Sequence, residues 1–127
     1  MTRRSRLSRS RDFDAVYRNG RSVASRYLVA YSFRPTAEDG AGARNDARLG
    51  LAVPRQVGDA VTRNWVKRRL RAAFGAASER LEPGHDYVLI ARPGLAEAVE
   101  NQGFAWLAER VEEALAGAVS ADRDRAA

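Results

Sequence analysis

The sequence predicts an α+β sandwich, one central sheet with helices, in the order α-β-β-(β)-α-β-α. Three observations predict it. From about Asp59 to Leu81, apolar side chains recur at helical spacing. From Tyr27 onward the chain alternates, with Tyr27, Val29, Tyr31 and Phe33 on one side and Leu28, Ala30, Ser32 and Arg34 on the other. The run Asp86-Tyr-Val-Leu-Ile-Ala-Arg92 is the most hydrophobic strand, as a central strand of the sheet would be. With 127 residues and 45% hydrophobic composition, one domain with a real core is expected. Its span is residues 1–119, and residues 120–127, with nothing to pack, are expected to form a disordered tail.

Taken in order, residues 1–7 form a basic arm, expected to be mobile in isolation. Ser8 or Ser10 can cap a short helix that stops near Asn19-Gly20. Phe13, Val16 and Tyr17 share one face of that helix. They are either ordinary core residues or one wall of a groove, with the aromatics only partly covered. Residues 22–34 form a strand or a hairpin, Ser22–Ala24 being the optional first leg. Pro35 to Ala47 is polar and rich in Gly and Asp, hence a loop. Arg48–Val53 is a short strand with Leu49, Leu51 and Val53 on one side. Pro54-Arg-Gln-Val-Gly58 turns out of it, and Asp59 is placed to cap the long helix. Glu82-Pro-Gly-His85 ends that helix, with His85 expected in a surface turn. Pro93-Gly94 closes the apolar strand. A last helix from about Asn101 shows Phe104, Leu107, Ala108, Val111, Leu115 and Ala118 at helical spacing, with Glu109, Glu112 and Glu113 off the stripe.

The long helix carries the functional signal. At about 100° per residue, Val66, Leu70, Ala73, Phe74, Ala77 and Leu81 gather in one arc. Arg63, Asn64, Lys67, Arg68 and Arg71 fill the adjoining arc. Successive turns set such groups about 5–6 Å apart, close to the spacing of phosphates along a nucleic-acid strand. Like charges at i, i+4 cost a few tenths of a kcal/mol per pair. No acid lies between Asp59 and Glu79 to relieve them. Binding to a polyanion would offset that repulsion, and Asn64 can both donate and accept hydrogen bonds. A strand bearing two Tyr and a Phe beside such a helix suits base stacking, and it equally suits a plain half-buried strand.

Charge is distributed unevenly about a net of +6. Residues 1–35 set nine Arg against Asp12 and Asp14, whereas residues 76–127 set five Arg against ten acids. The acidic remainder is expected to face away from any polyanion. Lys67 is the sole lysine, a bias that a GC-rich genome produces by default. The absence of Cys excludes disulfides, thiolate metal sites and a Cys nucleophile. No secretory signal or bilayer-length apolar run is present, so a soluble cytoplasmic protein is expected. Unaided catalysis is not expected either. There is one histidine, no Gly-rich phosphate loop and no acid cluster for a two-metal site.

The run Arg63-Asn64-x-x-Lys67-Arg68-x-x-Arg71 resembles the RNR motif of the bacterial ribonuclease P protein family. Arg6-Leu7, Asp12-Phe13, Gly20, Arg48-Leu-Gly-Leu, Gly58-Asp-Ala-Val-Thr and Asp86–Arg92 follow in the family's order and spacing. The resemblance implies a small basic subunit, bound one-to-one to a catalytic RNA. That RNA, with Mg²⁺ held mainly by itself, removes the 5′ leader from precursor tRNA. It further implies a leader cleft lined by Phe13, Tyr17, Val29 and Tyr31. Arg63, Asn64, Lys67, Arg68 and Arg71 would face the catalytic RNA, with Arg9, Arg11 and Arg55 as supporting contacts. A left-handed β-α-β crossover through the long helix is also implied, against the usual hand. The chain departs from the family at Pro54-Arg55-Gln56, where a Ser and two Lys are usual, at Trp65, in a slot more often basic, and in the long Pro35–Ala47 loop. Apart from the resemblance, the same residues would describe a structural RNA-binding protein, such as a ribosomal protein or RNA chaperone, or more distantly a nonspecific DNA-binding domain.

Overall fold

The computed structural model describes residues 6–35, 47–77, 81 and 84–126, with side chains as far as Asp122 at the C-terminal end. Expectations for residues 1–5 of the basic arm and 36–46 of the long loop lie outside them. The elements are α1 (Ser10–Asn19), β1 (Arg21–Ala24), β2 (Leu28–Phe33), β3 (Arg48–Ala52), α2 (Ala60–Ala76), β4 (Asp86–Ala91), α3 (Leu95–Gln102) and α4 (Phe104–Ala126), with a 3₁₀ turn at Arg55–Val57. The α+β prediction holds, and residues 21–33 are a hairpin rather than one strand. The strands lie in the order β1-β2-β4-β3. Hence β4, the most apolar strand, is internal, as its composition predicts. It pairs antiparallel with β2 and parallel with β3. The chain returns from β3 to β4 through α2.

Register sorts the side chains into two faces, because successive residues of a strand point to opposite sides. On one face lie three rows: Phe33, Asp86 and Arg48; then Ser22, Tyr31, Val88 and Gly50; then Ala24, Val29, Ile90 and Ala52. The other face carries Leu28, Ala30, Leu49, Tyr87 and Leu89, which join Val66, Leu70 and Phe74 of α2, Leu95 and Val99 of α3, and Leu107, Val111 and Leu115 of α4 in the main core. A smaller cluster of Leu7, Val16, Phe33 and Val88 holds α1 on the first face.

Local chemistry explains several ends. Asp59 accepts a hydrogen bond from the Thr62 N–H at 2.8 Å and so caps α2, as the sequence predicts. That bond, reinforced by Arg63, holds the Asp59 carboxyl below its ordinary range. The cap predicted for α1 is not formed. Arg9 occupies the N-cap without a side-chain bond, and Ser10 is already helical. The end of the basic arm is docked rather than loose: Leu7 is buried, and its N–H donates to the Leu49 carbonyl.

Four further expectations are corrected. First, α2 stops at Ala76, short of Leu81, where the Ala77 N–H is shared among the carbonyls of Ala73, Phe74 and Gly75. Gly75 weakens that final turn by about 1 kcal/mol relative to Ala. Second, residues 95–102 form a separate helix, closed by Gly103 at φ 88°. The last helix therefore begins at Phe104 rather than Asn101, and Phe104 is exposed instead of joining the apolar stripe. Third, the expected disordered tail continues α4 to Ala126, with Ala121 and Asp122 half-buried. Fourth, that extension covers His85, which is 8% exposed rather than a surface turn residue. Its ring stacks on Tyr87, and its Nε2 lies 3.9 Å from an Asp122 oxygen. Burial, with Asp122 adding to it, raises the Tyr87 pKa far above its ordinary value.

Candidate nucleic-acid interface

The three-row face of the sheet is only half covered. α1 lies over the first two rows, and Val16 is its one fully buried residue. Phe13 rests directly on the backbone of β3: a Cβ added at Gly50 would sit 2.7 Å from the Phe13 ring. Gly50 is thus required for this approach, as the Arg48-Leu-Gly-Leu pattern hinted without saying why. Phe13 and Tyr17 are 6.2 Å apart between ring centroids, and Tyr17 meets the Tyr31 ring edge-on at 5.1 Å. Such offset geometry is the favoured one for aromatic pairs. Tyr17 remains 41% exposed, while Phe13 and Tyr31 are half-buried. Burial, then Tyr31 and Asp14, raise the Tyr17 pKa, so the phenol stays neutral across the physiological range.

Of the four predicted cleft residues, the structure brings Phe13, Tyr17 and Tyr31 into one aromatic wall. Val29 lies one row further along the same face, beside Ile90. That third row is where α1 stops covering the sheet, and Val29, Ile90 and Ala52 are partly open there. The result is an apolar floor with an aromatic wall. Ile90 and Ala52 belong to this floor but were not singled out from the sequence. Their signal was present in the alternation of β4 and β3, yet which face would stay open could not be read from it.

The cations lie along the edges of this face and on α2. Arg9 and Arg11 are exposed at the start of α1, and Arg55 is exposed in the turn that leaves β3 beyond the open row. On α2 the motif splits into two ranks about 100° apart around the helix, the members of each rank one turn apart. Arg63, Lys67 and Arg71 are half-buried, and Asn64 and Arg68 stand out into solvent. Among the described residues no ion pair joins any of these four cations to a carboxylate. The Arg63 Nε is shielded from solvent and makes no hydrogen bond. Burial, and then repulsion from Arg6, pull the Arg71 pKa below its ordinary value. Arg6 forms a bridge beside Leu49 on the outer edge of β3, so it connects the α2 rank with the chain leading to α1. Trp65 in place of a basic residue has its ring under the Arg69 guanidinium at 5.4 Å.

Two acids of this region, Asp12 and Asp86, share one arginine. Arg48 grips Asp86 with Nε at 2.8 Å and with its second terminal nitrogen at 2.7 Å. Its remaining nitrogen reaches Asp12 at 3.7 Å. This pairing raises the Arg48 pKa and offsets the charge of Asp86, leaving Asp12 as the weaker partner of the same guanidinium. No group of three or more His, Asp or Glu side chains that could hold a metal occurs among the described residues. Among the same residues no helix is long and apolar enough to cross a membrane.

The sequence model of the family Ribonuclease P matches residues 1–118. The ribonuclease P protein component of Shouchella clausii is 41% identical over 92 residues, covering 72% of this chain and 70% of that protein. The solved RNase P protein of Thermotoga maritima superposes with a TM-score of 0.73 at 31% identity, over 87% of this chain and 94% of that one. The Staphylococcus aureus RNase P protein gives 0.67 at 26% identity, over 91% and 93% of the two chains.

Proposed function

The chain belongs to the ribonuclease P protein family, the protein component of a tRNA-processing endoribonuclease, and we propose that it holds the 5′ leader of precursor tRNA in the half-open cleft while α2 docks on the catalytic RNA. The observation that carries this reading is the open third row of the sheet, apolar on its floor and aromatic on its wall, with Arg55 exposed in the turn just beyond it. Leader bases stack on Phe13, Tyr17 and Tyr31 and pass over Val29, at about 1–3 kcal/mol per well-stacked base. Arg9, Arg11 and Arg55 meet leader phosphates, which position the strand without reading its sequence. Arg63, Asn64, Lys67, Arg68 and Arg71 lie against the catalytic RNA, where the charge repulsion within α2 is relieved.

The RNA performs the hydrolysis. Its Mg²⁺ belongs to the RNA, and this chain's part is to orient the substrate strand and to screen phosphate repulsion. The complex works in the cytoplasm with one protein per catalytic RNA. Reconstituting precursor-tRNA cleavage with a bacterial catalytic RNA at low Mg²⁺ tests the assignment. Adding the protein is expected to restore cleavage, and leader-bearing precursors are expected to bind more tightly than leaderless ones. That advantage should weaken with salt at a log–log slope of about 0.7 per leader phosphate neutralised. Equal binding with and without a leader would remove the cleft from the mechanism.

A further inference from the structure

We infer that Asp12 is a positioning residue: through Arg48 it sets the rotation of α1 over the sheet, and so the shape of the leader cleft. The inference rests on the cleft reading above. α1 is a short helix of 10 residues with Val16 as its one buried side chain, so apolar contact alone indexes it weakly. Phe13 lies on the backbone at Gly50 and packs, only partly buried, against the small cluster of Leu7, Val16, Phe33 and Val88. At the C-terminal end the helix is fixed by the chain itself. The Gly20 N–H donates to the Val16 carbonyl at 2.8 Å, and the Gly20 Cα packs where a Cβ would strike the Ser32 carbonyl.

At the other end, the one ion pair between α1 and the sheet among the described residues is Asp12 to Arg48, at 3.7 Å. Arg48 is not free to follow the helix. Two of its nitrogens are held by Asp86, itself 2% exposed, in the first residues of two paired strands. The guanidinium is thus a post set in the sheet, and Asp12 is the part of the pin that α1 owns. Phe13 is the next residue and Tyr17 follows one turn later. A rotation of α1 about its axis therefore displaces both rings of the cleft wall together.

The sign of the effect separates positioning from plain electrostatics. Asp12 stands among Arg9, Arg11 and Arg48, and Asp12→Ala removes a negative charge from a basic surface. Long-range attraction alone would then tighten RNA binding, with or without a leader. Positioning requires the opposite for leader-bearing substrate. Its advantage in KM over leaderless substrate should fall by about fivefold, the upper end for a partly exposed ion pair. Meanwhile kcat at saturation and affinity for the catalytic RNA should hold. The experiment compares the reconstituted holoenzyme carrying wild type, Asp12→Ala and Asp12→Glu on both substrates. Asp12→Glu is expected to recover most of the ratio, since it can still reach Arg48. An Asp12→Ala enzyme with an unchanged or larger leader advantage overturns the inference, as does an Asp12→Glu enzyme no better than Asp12→Ala. A wild-type enzyme that shows no leader advantage at all sinks the cleft reading itself, which is a separate result.

Discussion

The two faces of the sheet come from the same strands, yet one is closed and the other half open. On the closed face, α2, α3 and α4 bury Leu28, Leu49, Tyr87 and Leu89 almost completely. The open face is covered only as far as the short α1 reaches, and beyond it Val29, Ile90 and Ala52 are left partly bare. Apolar side chains there contribute little to folding, because burial in proportion to area is what stabilises. One face supplies stability, and the other, on the reading proposed above, leaves apolar surface for a leader strand.

The sharpest way to break this comparison is to injure the closed face. Leu115 on α4 is fully buried. Leu115→Ala should lower unfolding stability by about 2–5 kcal/mol in urea titration, through lost transfer energy and the cavity left behind. Leader preference should survive in whatever fraction folds. If stability scarcely moved, the closed face would not be the main stabilising core.

Tyr17→Ala is the converse experiment. Its ring is 41% exposed, so the folded state should lose only about 0.5–1.5 kcal/mol of aromatic pairing. Leader binding should weaken by about 1–3 kcal/mol, the worth of one stacked base. A variant that unfolds while binding leader normally would reverse the roles assigned to the two faces.

The smallest stability effect belongs to Arg71→Gln. Arg71 and Arg6 repel each other, so removing one charge should leave the melting temperature unchanged or slightly higher, within a few tenths of a kcal/mol. Affinity for the catalytic RNA should nevertheless fall, and its salt dependence should become shallower by close to one counterion. An Arg71→Gln protein that assembles as well as wild type would take Arg71 out of the interface.

Much of the fold was legible because it follows from short-range periodicity. The alternation after Tyr27 separated the two faces of β2, and the arc of Val66, Leu70, Ala73 and Phe74 identified the buried side of α2. Asp59 was recognisable as a cap because the cap and its partner are three residues apart. Errors arose where a residue's fate depends on something distant. His85 looked like a turn residue until α4, entering from nearly forty positions away, covered it. Residues 95–102 carry a helical pattern of Leu95, Ala96, Ala98 and Val99, but the Pro93-Gly94 stop hid it.

For the site, the sequence by itself determined the composition of the parts: a cationic rank on one helix, aromatics on another and on a strand, and no acid within α2. Those properties are local, set by residues a turn or a pleat apart. Only the tertiary structure decided that Phe13, Tyr17 and Tyr31 meet, that the row of Val29 and Ile90 stays open, and that Arg48 joins Asp86 of β4 to Asp12 of α1. Each of these depends on where α1 stops across the sheet. That limit is a balance of a few weak contacts between segments far apart in the chain, and no periodicity within either segment encodes it.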